Sequence, residues 1–241
     1  RKCPDLRLVA PHRSEYVKFS RKCNELYLQY TDLVDPFGID ESFLDVTGSM
    51  HLFGSGEHIA DELRRRMREE VGLTISVGVS FNRAFAKLGS DYKKPDGTTV
   101  FSREFQAARV DLAREHTPVC RQRASDRLNR LGVRTIGELA ACDPAFIHSI
   151  LGKNGDLLLR YARGEDDEPV RSFYAEREVK SVGNSMTFAH NLLGADECRM
   201  GITALCDNVG RRLRKTRHGV PDRAARHPRP GISQPLTTGN A

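Results

Sequence analysis

The sequence predicts an α+β fold, and three observations carry that expectation. Strand-like and helix-like stretches alternate through residue 101, which implies a mixed layer of helices on a sheet. Residues 103–168 are mainly helical, with short turns at Gly132, Asp143-Pro144, Gly152 and Gly155. A shorter strand-then-helix stretch follows, ending near Lys215. The expected divisions are therefore 1–101, 102–170, 171–216 and an irregular basic tail at 217–241, with the acidic turn Gly164–Pro169 marking the second boundary.

Each element has a local reason. Residues 6–9 read as a short strand stopped by Ala10-Pro11. Residues 14–30 have helical spacing, with Tyr16, Phe19, Cys23 and Leu26 on one stripe and Ser14 as N-cap. Residues 33–37 and 42–46 are strand pieces on either side of Gly38-Ile39-Asp40-Glu41. Residues 57–71 form the clearest helix: Ile59, Leu63, Met67 and Val71 repeat at i+4, and Gly72 ends it. Arg64, Arg65, Arg66 and Arg68 fall off that stripe and read as a solvated face paired with Asp61, Glu69 and Glu70. Residues 73–79 alternate strictly, as a half-buried strand does. A helix over 82–92 capped by Asn82, a turn at Lys93–Gly97 and a strand at 98–101 follow. Val179 to Phe188 starts a second sheet in this reading, and 195–215 is helical.

Composition narrows the function classes. No apolar run approaches the ~18 residues of a membrane span, so no membrane partner is expected. The opening Arg1-Lys2-Cys3-Pro4-Asp5 lacks the apolar core of a signal peptide and an initiator Met. Six cysteines without a CxxC pair fit reduced thiols and a cytoplasmic location. The net charge of +6 is confined to residues 171–241, which hold 12 Lys+Arg against 6 Asp+Glu. That asymmetry fits a polyanion partner such as nucleic acid, or a solvated basic surface. From Arg217 onward the Arg-, Pro- and Gly-rich stretch has no periodicity. It fits a basic tail, a shifted reading frame or a gene-prediction artefact equally.

The adjacent Asp40 and Glu41 stand in an otherwise apolar, β-forming run. Burying ionised carboxylates is costly without a positive partner, and a hard divalent cation such as Mg²⁺ is one. Neighbours on a straight strand face opposite ways, so a bend is required for both to share an ion. Taken alone, the doublet fits a polar hairpin turn as well as a metal site, and Lys94 reads as a solvated turn lysine. Asp45 reads as structural, bonded to Thr47 or nearby backbone.

Longer stretches carry a resemblance. Asp40-Glu41-Ser42-Phe43-Leu44-Asp45-Val46-Thr47-Gly48 resembles the second acidic motif of Y-family, translesion DNA polymerases of the DinB/polymerase IV or UmuC type. Residues 73–82, then Ala86-Lys87-Leu88-Gly89-Ser90-Asp91 and Lys94-Pro95-Asp96-Gly97, resemble the next palm block in order and spacing. Residues 131–140 and 157–169 are similar to the thumb, and Lys180–Ser185 to the opening of the little finger. The resemblance covers roughly residues 1–216.

The resemblance implies a right-hand architecture, here incomplete: palm at 1–101, thumb at 102–170 and a partial α/β little finger at 171–216. It implies a DNA-directed DNA polymerase in DNA repair and damage bypass, transferring a nucleotide from dNTP to a primer 3′-OH. Asp40 and Glu41 would be the catalytic, Mg²⁺-binding carboxylates, and Lys94 would contact the triphosphate. Primer-template DNA and dNTP are the implied partners, with a sliding clamp for the full-length protein. Gln234-Pro235-Leu236 is too short to identify a clamp-binding peptide. Lys180 and the cluster Arg211, Arg212, Arg214 and Lys215 are the DNA-facing candidates, or else a solvated helix surface.

The chain also departs from the pattern and reads as N-terminally truncated. The family pattern begins with an apolar strand bearing another metal-binding Asp, then aromatic residues that gate the sugar; these 241 residues start after them, and most of the fingers is missing. Weak or no activity is expected from the fragment, and an inert DNA-binding remnant is the alternative. In the thumb, Thr117-Pro118-Val119 runs directly into Cys120-Arg121-Gln122-Arg123, without the family's hairpin glycines. The strands expected after Lys215 are absent from the sequence pattern. A cyclase-like palm enzyme is the third reading, and the thumb-like and little-finger-like motifs argue against it.

Overall fold

The computed structural model describes residues 3, 5–7, 9–103, 122–176 and 179–216. The chain divides into two compact units, Arg1–Ala175 and Glu176–Ala241.

The first unit begins with helix α1, Arg13–Tyr27, and a hairpin of β1, Val34–Pro36, and β2, Ser42–Leu44. The strands pair antiparallel, with Val34 opposite Leu44 and Pro36 opposite Ser42. Phe37 N donates to Glu41 O at 2.8 Å and closes the loop that carries Asp40. Gly38 supplies the positive φ of +116° that this turn needs. The required bend at the acidic doublet is therefore present. Asp45 folds back on the chain as expected, its Oδ1 accepting from Thr47 N at 3.0 Å.

A 3₁₀ turn at Thr47–Ser49 and the short α2, Met50–Phe53, lead to α3, Gly56–Arg66. Ser55 caps α3 by accepting from His58 N. The helix widens into a π turn over Met67–Val71 and stops at Gly72, whose φ of +78° is left-handed. Ile59, Leu63 and Met67 are buried against Leu26 and Tyr30 of the α1 region, so the expected stripe is the core face. Arg65 pairs with Glu69 on the solvated face, as anticipated, whereas Arg66 pairs with Glu70 but is mostly covered, because it also donates to Tyr30 Oη and Gln29 Oε1. Arg64 and Arg68 do more: both also reach Asp96, in the turn beyond the next helix.

Strand β3, Val77–Ser80, helix α4, Arg83–Tyr92, and β4, Thr98–Phe101, form a β-α-β unit with parallel strands. Asn82 caps α4, its Oδ1 accepting from Phe85 N at 2.9 Å. The helix sits so close to the sheet that a Cβ on Gly78 would lie 1.8 Å from Ala86 O. Among the described residues the sheet is two separate pairs, β1-β2 and β3-β4.

Among the described residues four further helices belong to the unit: α5, Gln122–Arg130; α6, Ile136–Ala141; α7, Pro144–Leu151; and α8, Lys153–Ala162. Thr135 and Glu138 form a reciprocal capping box at the start of α6, and Asp143 caps α7. Phe85, Leu88 and Phe101 share one core with Leu128, Ile136, Leu139, Ile147 and Leu158. Residues on both sides of position 101 thus bury one another. The acidic Gly164–Pro169 stretch docks on the start of α4: Ala84 N donates to Asp166 Oδ2 at 3.0 Å, and Asn82 Nδ2 to Gly164 O at 3.0 Å.

The second unit holds α9, Gly194–Thr216, matching the helix expected at 195–215. Arg212 Nη1 donates to Gly183 O at 2.6 Å and ties the preceding segment to it.

Several local expectations are corrected. Residues 6, 7 and 9 form no strand. Ser14 lies inside α1, and His12 occupies the cap without a side-chain bond. Strand β3 starts at Val77 rather than at residue 73, because pairing to β4 begins only there, at Thr98. Residues 179–188 form no strand, and no partner strand stands near them in sequence among the described residues. An extended stretch without ladder partners remains irregular. The tail 217–241 and the segment from Thr117 to Arg121 lie outside the described residues.

Candidate active site

The hairpin tip, α3, β3, α4 and the turn after α4 enclose a cavity of about 460 Å³. Asp40, Glu41, Lys87 and Lys94 line it, and Phe43, Leu44, Ile59, Leu63, Ile75 and Val79 supply its apolar wall. Asp40 is exposed and Glu41 half-buried, so the doublet sits at the mouth rather than in a dry interior.

Glu41 is not alone. Lys87 Nζ, on α4, lies 2.5 Å from Glu41 Oε1 and 3.0 Å from Asp91 Oδ2. Lys94 Nζ lies 2.6 Å from Asp91 Oδ1. The four side chains form an alternating row: carboxylate, ammonium, carboxylate, ammonium. Burial works to lower the pKa of Lys87, but its hydrogen bonds to Glu41 and Asp91 outweigh that and raise it overall. Lys87 therefore stays charged at neutral pH.

The row follows from helix geometry. Lys87 and Asp91 are one turn apart on α4; Lys94 lies beyond the helix end at Tyr92, in the following turn, and joins the row through its pair with Asp91. Sequence reasoning named Lys94 and quoted Lys87 and Asp91 only as part of a motif. The i, i+4 spacing of Lys87 and Asp91 and the i, i+3 spacing of Asp91 and Lys94 were the available signals.

The turn bearing Lys94 is gripped from behind. Arg64 Nε donates to Asp96 Oδ1 at 3.2 Å, and Arg68 pairs with the same carboxylate. A second cluster lies behind the hairpin. Arg83 reaches Asp35 Oδ2 at 3.3 Å and Glu168 Oε1 at 3.4 Å.

Among the described residues no three His, Cys, Asp or Glu side chains group as a metal cage. The donor set nevertheless suits Mg²⁺, which is commonly held by one or two carboxylates with phosphate oxygens and water completing the shell. Asp40 and Glu41 are two hard oxygen donors at an open mouth, next to lysines that suit phosphate.

The DNA-facing candidates lie in the second unit. Lys180 is exposed. Arg211, Arg212 and Arg214 are exposed on the last turns of α9; Arg211 also donates to Asn208 Oδ1. The Lys215 side chain and Arg121 lie outside the described residues. Arg123 is exposed on α5.

Comparison with known proteins gives this arrangement a context. The model of the impB/mucB/samB family matches residues 1–91, and that of the same family's C-terminal domain matches residues 179–226. DNA polymerase IV of Acetivibrio thermocellus is 44% identical over 214 residues, covering 88% of this chain and 54% of that protein. DNA polymerase IV of Ralstonia nicotianae is 37% identical, covering 91% of this chain and 61% of that protein. The chain spans little more than half the length of these curated relatives. Among solved structures, DinB from Sulfolobus solfataricus superposes with a TM-score of 0.61 at 28% identity, over 68% of this chain and 49% of that one. A Y-family DNA polymerase chimera of Dbh and Dpo4 superposes with a TM-score of 0.71 at 24% identity, over 86% of this chain and 60% of that one. The second likeness shows the shared right-hand fold. The two family models in their proper order, and relatives that match almost the whole of the chain, agree: the chain belongs to the impB/mucB/samB family, the DinB-type Y-family DNA polymerases.

Proposed function

We propose that this chain forms the catalytic part of a translesion DNA polymerase, a DNA-directed nucleotidyltransferase of damage bypass. One observation carries the reading: the Asp40-Glu41 doublet and two lysines open onto one cavity, in a chain of this family. Asp40 and Glu41 hold Mg²⁺. Mg²⁺ held there would supply the positive charge that offsets the negative charge developing in phosphoryl transfer. Lys94 presents a point charge to the β- and γ-phosphates of the incoming dNTP. The Arg64–Asp96 contact keeps the Lys94 turn from drifting, which matters because positioning is most of the catalytic task.

The apolar wall of the cavity, and the edges of β2 and β3 that are unpaired among the described residues, suit the Asp-bearing strand of the family pattern. With Asp40 and Glu41 as the candidate metal carboxylates, and the third cavity-lining carboxylate, Asp96, paired with Arg64 and Arg68, the chain by itself should extend primers weakly or not at all. In the second unit, Lys180, Arg211, Arg212, Arg214 and Lys215 contact the phosphates of primer-template DNA. The divisions 1–101, 102–170 and 171–216 correspond in this reading to palm, thumb and part of a little finger, and 217–241 stays outside it. A sliding clamp is a partner of the full-length protein, and the location is cytoplasmic. No helix among the described residues is long and apolar enough to cross a membrane.

The test is a chimera that joins this chain to the remaining segments of the Acetivibrio thermocellus relative. It should extend a labelled primer with Mg²⁺, and Asp40→Ala should abolish extension while leaving DNA affinity within about twofold, because exposed Asp40 is not a DNA-binding group. A folded chimera that binds DNA and extends primers equally well with Asp40→Ala would reject the assignment.

A further inference from the structure

Lys87 occupies the side of Glu41 that a cation would use. Its ammonium is 2.5 Å from Glu41 Oε1, and its side chain is only 15% exposed. A buried ammonium that loses its partner is costly unless another takes over. Asp91 is that other partner: its carboxylate, 8% exposed, already touches Lys87 at 3.0 Å. Asp91 simultaneously holds Lys94 at 2.6 Å, through its second oxygen. The row is close to neutral, and among the described residues Lys87 is the cation that pairs with Glu41.

Resting on the metal reading of Glu41 above, we propose that Lys87 is the resident counter-ion of Glu41, which a divalent cation must displace, and that Asp91 is the berth that receives it. The exchange breaks one ion pair, Lys87–Glu41, and strengthens another, Lys87–Asp91; no bond or proton moves. It has two consequences. Lys87 opposes metal binding in the resting protein and prevents two adjacent carboxylates from repelling each other. Asp91, pulled toward Lys87, loosens its grip on Lys94, which is 48% exposed and free to swing toward a phosphate.

Divalent-ion affinity of the full chain tests this, measured as free Mn²⁺ by electron paramagnetic resonance, with Mn²⁺ standing in for Mg²⁺. Lys87→Met should bind Mn²⁺ about threefold or more tighter than the unaltered chain, the scale of a part-exposed ion pair. Asp91→Asn should bind it more weakly, since Lys87 then has nowhere else to go. Adding Asp91→Asn to Lys87→Met should change nothing further. Glu41→Gln should remove the site. Thermal melting of each variant checks that it is folded, and Lys87→Gln, which keeps a neutral donor, replaces Lys87→Met if the latter is not. Mn²⁺ binding lost in Glu41→Gln but unchanged or weakened in Lys87→Met overturns the counter-ion role alone. Binding that ignores Glu41→Gln overturns both this role and the metal assignment.

Discussion

Arg83 stands 4.4 Å over the ring of Phe43 while its guanidinium reaches Asp35 across the hairpin at 3.3 Å. One side chain at the start of α4 thus grips both strands of the hairpin that presents Asp40 and Glu41. Arg83 and Asp35 are both nearly buried, at 13% and 9% side-chain exposure. Removing one member of a buried pair leaves the other charge poorly solvated. Arg83→Ala should therefore destabilise the first unit by about 3 kcal/mol, read as a shift in urea midpoint at unchanged slope. A loss below about 0.5 kcal/mol would mean the pair is only a surface contact.

Gly78 is the point of closest approach between α4 and the sheet. An added Cβ would meet Ala86 O at 1.8 Å and Ser90 N at 2.4 Å, both backbone atoms of the helix that carries Lys87. Backbone cannot yield locally, so Gly78→Ala should cost about 3 kcal/mol or leave the protein insoluble. By contrast, a Cβ at Gly48 meets nothing within 4 Å, and Gly48→Ala should fold normally. Thermal melting of the two variants makes the comparison.

The capping box of α6 makes a pH prediction. The Glu138 carboxylate accepts from the backbone amides of Arg134 and Thr135, which pull its pKa below the ordinary glutamate value. A carboxyl depressed by folding contributes stability above its unfolded pKa and loses it as pH falls through the folded pKa. Acidification below the usual glutamate range should therefore weaken the protein, and Glu138→Gln should flatten that part of the profile. Thr135→Ala, which removes the acceptor for Glu138 N at 3.1 Å, should cost about 1 kcal/mol at neutral pH.

The lysine assigned to the triphosphate should reveal itself in binding. In the chimera, Lys94→Ala should weaken dNTP affinity by about tenfold, the scale of one charged hydrogen bond, with DNA affinity unchanged. Steady-state KM for dNTP and fluorescence titration with DNA separate the two effects.

Phosphate contacts by α9 should appear in salt dependence. Neutralising Arg211, Arg212 and Arg214 together should weaken DNA binding and lower the slope of log K against log salt by about 2–3. An unchanged slope would assign these arginines to the solvated surface.

Much of this protein was readable from local signals. The i+4 stripe of α3, the Asn82 cap, the Gly72 stop and the bend at Asp40-Glu41 all rest on interactions within a few residues. They were legible because helix periodicity, capping and turn geometry are short-range effects. The strands were less so. β3 is only Val77–Ser80 although the alternating pattern begins at Leu73, since a strand ends where its partner ends. Ser14 has the composition of a cap, yet the helix begins one residue earlier, at Arg13, and outruns it.

By itself, the sequence determined most of the helices, the bend of the hairpin, the charge asymmetry and the carboxylate doublet with its family motifs. Tertiary structure alone decided which distant charges meet: Lys87 on Glu41, Arg64 on Asp96 and Arg83 on Asp35. The reason is range. Hydrogen-bonded turns are specified by residues within about four positions, whereas Lys87 and Glu41 are 46 positions apart and meet only after α4 docks on the sheet. That docking depends on Gly78, where the absence of a side chain permits the approach.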